Sequence, residues 1–381
     1  YMLKDAIADE RVRREGLLDK LRINEEDLAS NDKFAEVLLR IGVEPPKKIS
    51  KVTGKPAFAF AKNDALFQSL VNSDNEGVAL LCEARMAVKS TLERTRAQRF
   101  LDIAQRGTLP VPLNYYGAHT GRWSASKGSG LNLQNLKRKS FLRRSILAPE
   151  GNSLVVCDLS QIEPRVLAWL AGYRSMLQIF SSGQDPYSAF GAQMFGIPGL
   201  NKDDHPALRQ SAKGALLGAG YGMGWLSYAA QLLTGFLGAP PIRYDMAFAK
   251  QLGVTKEMVL DFLAYDPNRE KALAIPRTCT DEEIIIHCVA AKFIIDKYRS
   301  AAEPVKAFWD ICAALIDKSL AGGKVLKHKC LTFEKGRIAL PNGMNLRYDG
   351  LQGNPDEKGR VQWTYGADKK LYGGKVVENV V

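Results

Sequence analysis

Two carboxylates stand close together in L-V-V-C-D-L-S-Q-I-E-P-R-V-L-A-W-L-A-G, Leu154 to Gly172. Asp158 closes a run of apolar and small residues, and Glu163 follows with Pro164 directly behind it. The run into Asp158 predicts a short buried strand. Q-I-E-P-R-V-L-A-W-L-A predicts a helix whose first turn holds Pro164, where a missing N–H costs little. Asp158 then sits at a strand's carboxyl end beside a strand-to-helix turn. There a carboxylate facing a cleft holds Mg²⁺ through oxygen. Glu163 lies in the same turn region and shares that cleft. The plainer alternative has Asp158 capping the helix and Glu163 paired with Arg165 at the surface.

A second stretch, R-Q-S-A-K-G-A-L-L-G-A-G-Y-G-M-G, runs from Arg209 to Gly224. On a helix, Arg209, Lys213, Leu217 and Tyr221 fall within an arc of about 120° and span roughly 18 Å. Two cations, an apolar residue and an aromatic ring, in that order, suit a nucleoside triphosphate lying along the helix. The cations meet phosphates, and Tyr221 lies near sugar and base. Glycines 218, 220, 222 and 224 are poor helix formers and suit a close approach or a hinge. An amphipathic helix with exposed cations accounts for the basic pair, but not for the Tyr-Gly end.

A third stretch, Y-Y-G-A-H-T-G-R-W-S-A-S-K-G-S-G-L-N-L-Q-N-L-K-R-K-S, Tyr115 to Ser140, is polar and glycine-rich. Lys137, Arg138, Lys139, Arg143 and Arg144 continue it as a basic run. It reads as a loop that follows a nucleic-acid backbone, with Arg, Asn and Gln able to reach base edges. A solvated basic loop is the alternative.

The elements that must carry these groups can be read in outline. Residues 1 to about 105 are charged and helix-like, with a basic Gly/Pro loop from Pro45 to Pro56 and a long helix around Ala79–Arg96. The polar face of that helix is basic: either solvated or a backbone grip. Residues 106 to 185 mix short strands with loops, and 186 to 310 are mostly helical. T-G-F-L-G-A-P-P-I-R-Y and A-Y-D-P-N-R-E-K read as loops there. From Leu331 the pattern turns strand-like, with P-N-G as a hairpin turn. Lys and Arg outnumber Asp and Glu by 53 to 41, a formal +12, which favours a polyanionic partner. The six cysteines show no repeated C-x-x-C, which argues against a zinc ribbon or a disulfide framework and for a reducing, cytosolic setting. His287 beside Cys288 and His328 near Cys330 read as ordinary structural residues. No stretch of 18 apolar residues and no signal peptide is present. Tyr1 in place of Met, and an uncapped G-K-V-V-E-N-V-V at the other end, point to an excerpt of a longer chain.

Taken together the three stretches resemble the family A DNA polymerases, the group of bacterial DNA polymerase I and many phage replicative enzymes. T-G-R-W-S…N-L-Q-N is similar to the family's primer-template motif, D-L-S-Q-I-E-P-R to motif A, and R-Q-S-A-K-G-A-L-L-G-A-G-Y-G to motif B. G-Q-D-P-Y-S-A-F-G-A-Q-M-F-G, between A and B, is similar as well. H-T-G-R-W-S with Q-I-E-P-R tilts the resemblance towards phage enzymes. The resemblance implies an α+β fold in a right-hand arrangement. Residues 1–110 form a mainly helical thumb region and 111–185 a palm with motif A and an antiparallel sheet. Residues 186–310 form helical fingers with the motif B helix, and 311–381 return to the palm. It implies template-directed DNA synthesis from dNTPs by two-metal-ion nucleotidyl transfer, in phage DNA replication.

Site residues follow from the same resemblance. Asp158 and the carbonyl of Leu159 are ligands of two Mg²⁺ ions. Arg209 and Lys213 grip the phosphates, and Lys213 is a candidate general acid. Glu163 is the steric gate that selects dNTP over NTP; Tyr221 stands at the hinge of the fingers. Gln161, Tyr187 and Leu217 join the substrate site. Tyr187 replaces a phosphate-contacting His, and Leu217 replaces an aromatic ring, implying weaker acceptance of dideoxynucleotides. Arg122, Asn132, Gln134, Asn135, Lys137 and Arg138 contact primer-template DNA. Implied partners are primer-template DNA, dNTPs and a replisome helicase or primase, with a monomeric enzyme in the bacterial host cytoplasm and no membrane. The family's motif C, a His-Asp pair that supplies a second metal carboxylate, does not appear. Asp349 lacks its context, and Y-G-G-K-V-V-E-N-V-V resembles the helix that precedes it. A catalytically incomplete primer-template-binding fragment is therefore the alternative, and a single-subunit RNA polymerase relative a further one that Glu163 disfavours.

Overall fold

The structure is a computed structural model that describes all residues except 50–54, 63, 127, 129, 137–139, 236–240, 276, 278 and 358, and omits side chains at 65 and 91–93. The fold is α+β, as expected, in two units. Unit one comprises chiefly Tyr1–Ala118 and Arg122–Cys157; unit two comprises Asp158–Ile275, Cys279–Val381 and the short His119–Gly121.

Unit one opens with α1 (Met2–Leu21), α2 (Glu25–Ala29) and α3 (Asn31–Arg40), then a small antiparallel pair, β1 (Lys47–Ile49) and β2 (Pro56–Phe58). Then come α4 (Ala65–Val71), α5 (Glu76–Lys89) and α6 (Thr91–Ala104). The single long helix expected at Ala79–Arg96 is two, because Ser90 leaves helical geometry at φ −83°, ψ 58°. One core gathers Leu28, Phe34, Leu38, Phe67 and Leu81 around the buried Arg85. Its guanidinium donates to the carbonyls of Leu28 (2.5 Å) and Ser30 (3.1 Å) and to Asn31 Oδ1 (2.5 Å), and lies 4.3 Å from the Phe34 ring centre. Burial lowers its pKa to about 10, still charged at neutral pH, and those partners make the buried charge tolerable. A second core of Leu3, Ala97, Phe100, Leu131 and Leu142 takes in the short α7 (Phe141–Arg144); the hairpin β3 (Leu113–Asn114) and β4 (Ser124–Ala125) lies between α6 and α7 in the chain.

The strand expected over Leu154–Asp158 does not form. Leu154, Val155 and Val156 are 58%, 86% and 90% exposed, and no strand among the described residues pairs with them. A continuous apolar run becomes a strand only where a ladder satisfies its backbone.

Unit two begins with α8 (Ile162–Ala171), α9 (Arg174–Ser181), α10 (Pro186–Phe195), α11 (Pro206–Gly218) and α12 (Trp225–Thr234). It continues with α13 (Met246–Leu252), α14 (Lys256–Tyr265), α15 (Arg269–Leu273), α16 (Asp281–Ala301) and α17 (Glu303–Leu315). The helical reading of 186–310 holds, α8 is the helix expected around Pro164, and α9 stands where short strands and loops were expected. The four-stranded antiparallel meander β5 (Leu326–His328), β6 (Leu331–Glu334), β7 (Arg337–Ala339) and β8 (Asn345–Arg347) matches the strand-like pattern. Its P-N-G turn places Gly343 at φ 79°. A three-stranded sheet of β9 (Gln352–Pro355), β10 (Val361–Tyr365) and β11 (Lys369–Leu371) follows, then α18 (Gly373–Val380). Among the described residues no helix is long and apolar enough to cross a membrane.

Helix α16 is the spine of this unit. Thr280 and Glu283 form a reciprocal capping box at its start, and Ile284, Cys288, Ala291 and Ile295 are fully buried along it. His287 is buried with them. Its Nδ1 accepts the Tyr244 backbone N–H (3.0 Å), so Nε2 carries the proton and donates to the Ala229 carbonyl (3.0 Å). The Tyr244 hydroxyl in turn lies 3.0 Å from Ser211 Oγ on α11. A hydrogen-bonded chain thus ties α11, through Tyr244, to α16. His328 likewise has a structural place, against the Phe308 ring (4.9 Å). All six cysteines are free.

Burial, with Arg243 adding to it, depresses the His287 pKa to about 4 from an ordinary 6.5. The unfolded chain therefore takes up this proton first as pH falls. The contribution is intact above about pH 6.5 and is lost between there and pH 4, up to about 3 kcal/mol. Urea unfolding of wild type and His287→Gln over that range checks this: wild type should lose stability more steeply, and parallel curves would exclude it.

Candidate functional site

Asp158 and Leu159 lie on the exposed segment ahead of α8, with Leu159 71% exposed. The N-cap of α8 is Gln161, held at φ 51°, ψ 40°, so Asp158 is three residues short of the capping position. A non-glycine residue in the left-handed region is unusual and often marks a functional turn. Glu163 is half-buried in the first turn, above the buried Pro164. Arg165 turns elsewhere, donating to the Ser160 carbonyl (3.0 Å) and lying 4.6 Å from the Phe180 ring centre. The far end of α8 is pinned by the β5–β6 turn. His328 Nε2 meets the Leu170 carbonyl at 2.9 Å, and the Lys329 ammonium reaches the Trp169 carbonyl and ring. Cationic and N–H donors on these carbonyls satisfy the helix terminus and its dipole.

Helix α11 separates its residues as the spacing predicts. Leu208, Ala212, Ala215 and Leu216 are buried, whereas Arg209, Lys213 and Leu217 are half-buried along another face. The helix ends at Gly218. Ala219–Tyr221 is a tighter 3₁₀ turn, and Gly222 at φ 83° closes it. Of the expected hinge glycines, Gly220 serves a close approach, since a Cβ there would lie 2.8 Å from Leu167 Cδ2 of α8. The two helices that carry Glu163 and Tyr221 therefore touch at this glycine.

The cations of α11 meet Asp185 and Tyr187. Arg209 Nε and Nη2 clasp Asp185 Oδ2 and Oδ1 at 2.6 and 3.1 Å, a bidentate pair in which Nη1 takes no part. Arg209 Cζ and Lys213 Nζ lie 5.3 and 5.7 Å from the Tyr187 ring centre. Asp185 also caps α10, accepting from Ser188 N (3.1 Å) and Oγ (2.5 Å). Burial by itself would raise the Asp185 carboxyl, but the Arg209 and Ser188 hydrogen bonds prevail and hold it below its usual value. Burial raises the Tyr187 phenol, Arg209 opposing and Asp185 adding to it, so the ring is neutral between two cations. The arrangement sets two cations on adjacent turns of one helix against a single aromatic ring. Asp185 is absent from the sequence reading. D-P-Y-S announces a capped helix start, but nothing local reveals a partner 24 residues away.

Unit one holds the remaining candidates. Arg122, Gln134 and Asn135 are exposed, and Asn132 is half-buried. Gln134 Nε2 donates to the Trp123 carbonyl (2.9 Å), and Asn132 Oδ1 caps the 3₁₀ turn Leu133–Asn135 by accepting Asn135 N (3.2 Å). Tyr115 and Trp123, both exposed, pack edge to face at 5.3 Å across the hairpin. Asn132 lines an open cleft of about 1000 Å³ with Arg94, Arg96, Gln98 and Arg99 of α6. The basic face of α6 thus borders the glycine-rich loop. Lys137 and Arg138, with Lys139, lie outside the described residues.

Among the described residues no group of three His, Cys, Asp or Glu side chains is poised for a metal ion. Asp158 and the Leu159 carbonyl are accessible oxygen donors. That set fits Mg²⁺, which takes one or two carboxylates together with substrate phosphates.

Loss of the α10 cap in Asp185→Ala should lower unfolding stability by about 1 kcal/mol. Arg209→Ala, which removes a partly exposed ion pair, should cost less. Urea midpoints of the two variants check the order; a larger loss for Arg209→Ala would assign the stabilisation to the ion pair.

A family model described as DNA polymerase family A matches residues 4–237. The "DNA polymerase I, thermostable" of Thermus aquaticus is 32% identical over 224 residues, covering 57% of this chain and 25% of that protein. The "DNA polymerase" of Bacillus phage SP02 is 26% identical over 384 residues, covering 88% of this chain and 51% of that protein. Among solved structures, the POL domain of Pol1 from M. smegmatis in complex with DNA primer-template and dNTP shares 21% identity with it. That likeness covers 85% of this chain and 57% of the other, at a TM-score of 0.46. The chain therefore spans about a quarter of the first of these relatives and about half of the second.

Proposed function

Because the chain belongs to DNA polymerase family A, we propose that it serves template-directed addition of deoxynucleotides to a primer 3′-OH. The observation that carries this reading is the face of α11, with Arg209 and Lys213 around the Tyr187 ring, leading to Tyr221 at the turn. Arg209 and Lys213 receive the triphosphate, Arg209 through Nη1 while Asp185 holds its other edge. Lys213 is the candidate proton donor to the departing pyrophosphate. Glu163, one helix away and joined to the Tyr221 turn through Leu167 and Gly220, excludes a ribose 2′-OH. Gln161 and Leu217 complete the nucleotide site. Arg122, Asn132, Gln134 and Asn135 hold primer-template DNA, with Lys137 and Arg138 extending that contact. The thumb, palm and fingers divisions belong to the same proposal.

Asp158 and the Leu159 carbonyl are the donors for Mg²⁺, two ions in the scheme the resemblance implies. When bound, such ions activate the primer hydroxyl and neutralise charge on the leaving pyrophosphate. The phage assignment is supported by the SP02 polymerase, which matches over 88% of the chain. A second reading, a primer-template-binding fragment without full catalytic capacity, is favoured by one observation. Among the described residues no group of three or more His, Cys, Asp or Glu side chains is gathered to hold a metal ion.

Primer extension on DNA with Mg²⁺ and either dNTPs or NTPs separates the readings. Polymerase function gives extension with dNTPs alone, lost in Asp158→Ala, while Glu163→Ala should improve NTP use relative to dNTP by at least about tenfold. Salt-sensitive primer-template binding without extension selects the second reading. Neither binding nor extension would overturn both.

A further inference from the structure

The 3₁₀ turn that carries Tyr221 is held by groups with no part in the face described above. Trp309, half-buried on α17, donates its indole N–H to the Gly220 carbonyl at 2.8 Å. The start of α18 closes on the same turn. A Cβ on Gly374 would stand 2.5 Å from the Tyr221 carbonyl oxygen, and one on Gly373 would stand 2.0 Å from the carbonyl oxygen of Trp309 itself. Gly222, at φ 83°, would bring a Cβ to 3.6 Å from the Gly374 Cα. From the opposite side Leu167 of α8 fills the space at Gly220. Three helices thus meet the backbone of one turn. One does so through a directed hydrogen bond, and another through a glycine that leaves no room for a side chain. Sequence pattern gives α18 only as an apolar helix start, yet its two glycines are where it approaches closest.

We propose that Trp309, acting with Gly374, is a positioning residue for Tyr221, fixing the turn so that the ring is set beside the incoming nucleotide before it binds. This rests on the polymerase reading given above. The bond holds a buried carbonyl on the turn, and α17 brings it from outside the α8–α11 pair. Removing the indole N–H leaves Gly220 O without that partner and lets the turn sample other geometries. The ring then spends part of its time displaced, and the nucleotide must recover the ordered state on binding. The effect falls on nucleotide binding and on the choice of sugar, and leaves the DNA contacts of unit one alone.

The test uses the full chain with Trp309→Phe, which keeps an aromatic ring and deletes the donor, and with Gly374→Ala. Amide hydrogen exchange on the free proteins reads the clasp itself. Exchange across residues 219–224 should accelerate about tenfold in Trp309→Phe, with α16 unchanged. Nucleotide affinity is then measured by fluorescence with Mg²⁺ and a primer-template whose primer lacks a 3′-OH, so that no turnover is required. Trp309→Phe should weaken the templated dNTP by about threefold to tenfold. Gly374→Ala should weaken it at least as much. The preference for dNTP over NTP should fall, and the dissociation constant for primer-template alone should not move. A merely structural role would weaken DNA and every nucleotide alike. Unchanged exchange at 219–224 overturns the clasp, and faster exchange with unchanged dNTP affinity overturns the positioning role. A wild-type chain that binds primer-template but no templated dNTP overturns the polymerase reading, and with it the role given to Trp309, whatever exchange shows.

Discussion

Unit two depends on α11 being thin on its buried side. Ala212 and Ala215 are completely buried, and a Cβ on Gly191 of α10 would already stand 3.2 Å from that of Ala212. Small residues let α10 and α16 approach α11 closely, and close packing leaves little freedom for rotation about its axis. Once that orientation is fixed, Arg209, Lys213 and Leu217 have one direction left to face. The polar chain from Ser211 through Tyr244 to His287 adds a directional constraint where alanines supply only shape. Function-bearing side chains are thus aimed by residues with almost no side chain of their own.

The ion pair between Arg209 and Asp185 shows how two demands are met by one carboxylate. Asp185 satisfies backbone donors at the start of α10 and simultaneously holds the guanidinium by two edges. A flexible arginine loses considerable rotamer entropy on meeting a ligand. Here much of that ordering is already done by a residue that the helix start needs anyway. Tyr187 shields the pair on one side and lets the neighbouring ammonium sit close without burying either cation fully. At α8 the logic is reversed, since its far carbonyls are satisfied by His328 and Lys329 from another part of the chain.

Legibility in the sequence followed the range of the forces involved. The α11 face is readable because helical periodicity is a local property, and the P-N-G turn is local chemistry too. The division of Ala79–Arg96 into two helices was not, because Ser90 is tolerated inside helices and only its backbone angles end α5. The strand expected at Leu154 is absent for the opposite reason. Its residue pattern is strand-like, but a strand is a relation between two segments. Asp185, Trp309 and Gly374 were invisible as site residues because their partners lie far away in sequence, and two of those three contacts use backbone carbonyls that carry no residue identity. Resemblance supplied roles for Asp158, Glu163 and Tyr221 that their spacing alone left open.

The exposed stretch at Leu154–Val156 has a consequence for how the molecule behaves among its own copies. An exposed apolar run with no strand paired to it among the described residues is a place where a strand from another chain can add. The net charge of +12 opposes such encounters by long-range repulsion, but salt screens that repulsion while leaving the short-range attraction intact. Colloidal behaviour is therefore set by two features on different length scales. Raising the ionic strength lowers that long-range barrier and leaves the apolar segment as exposed as before.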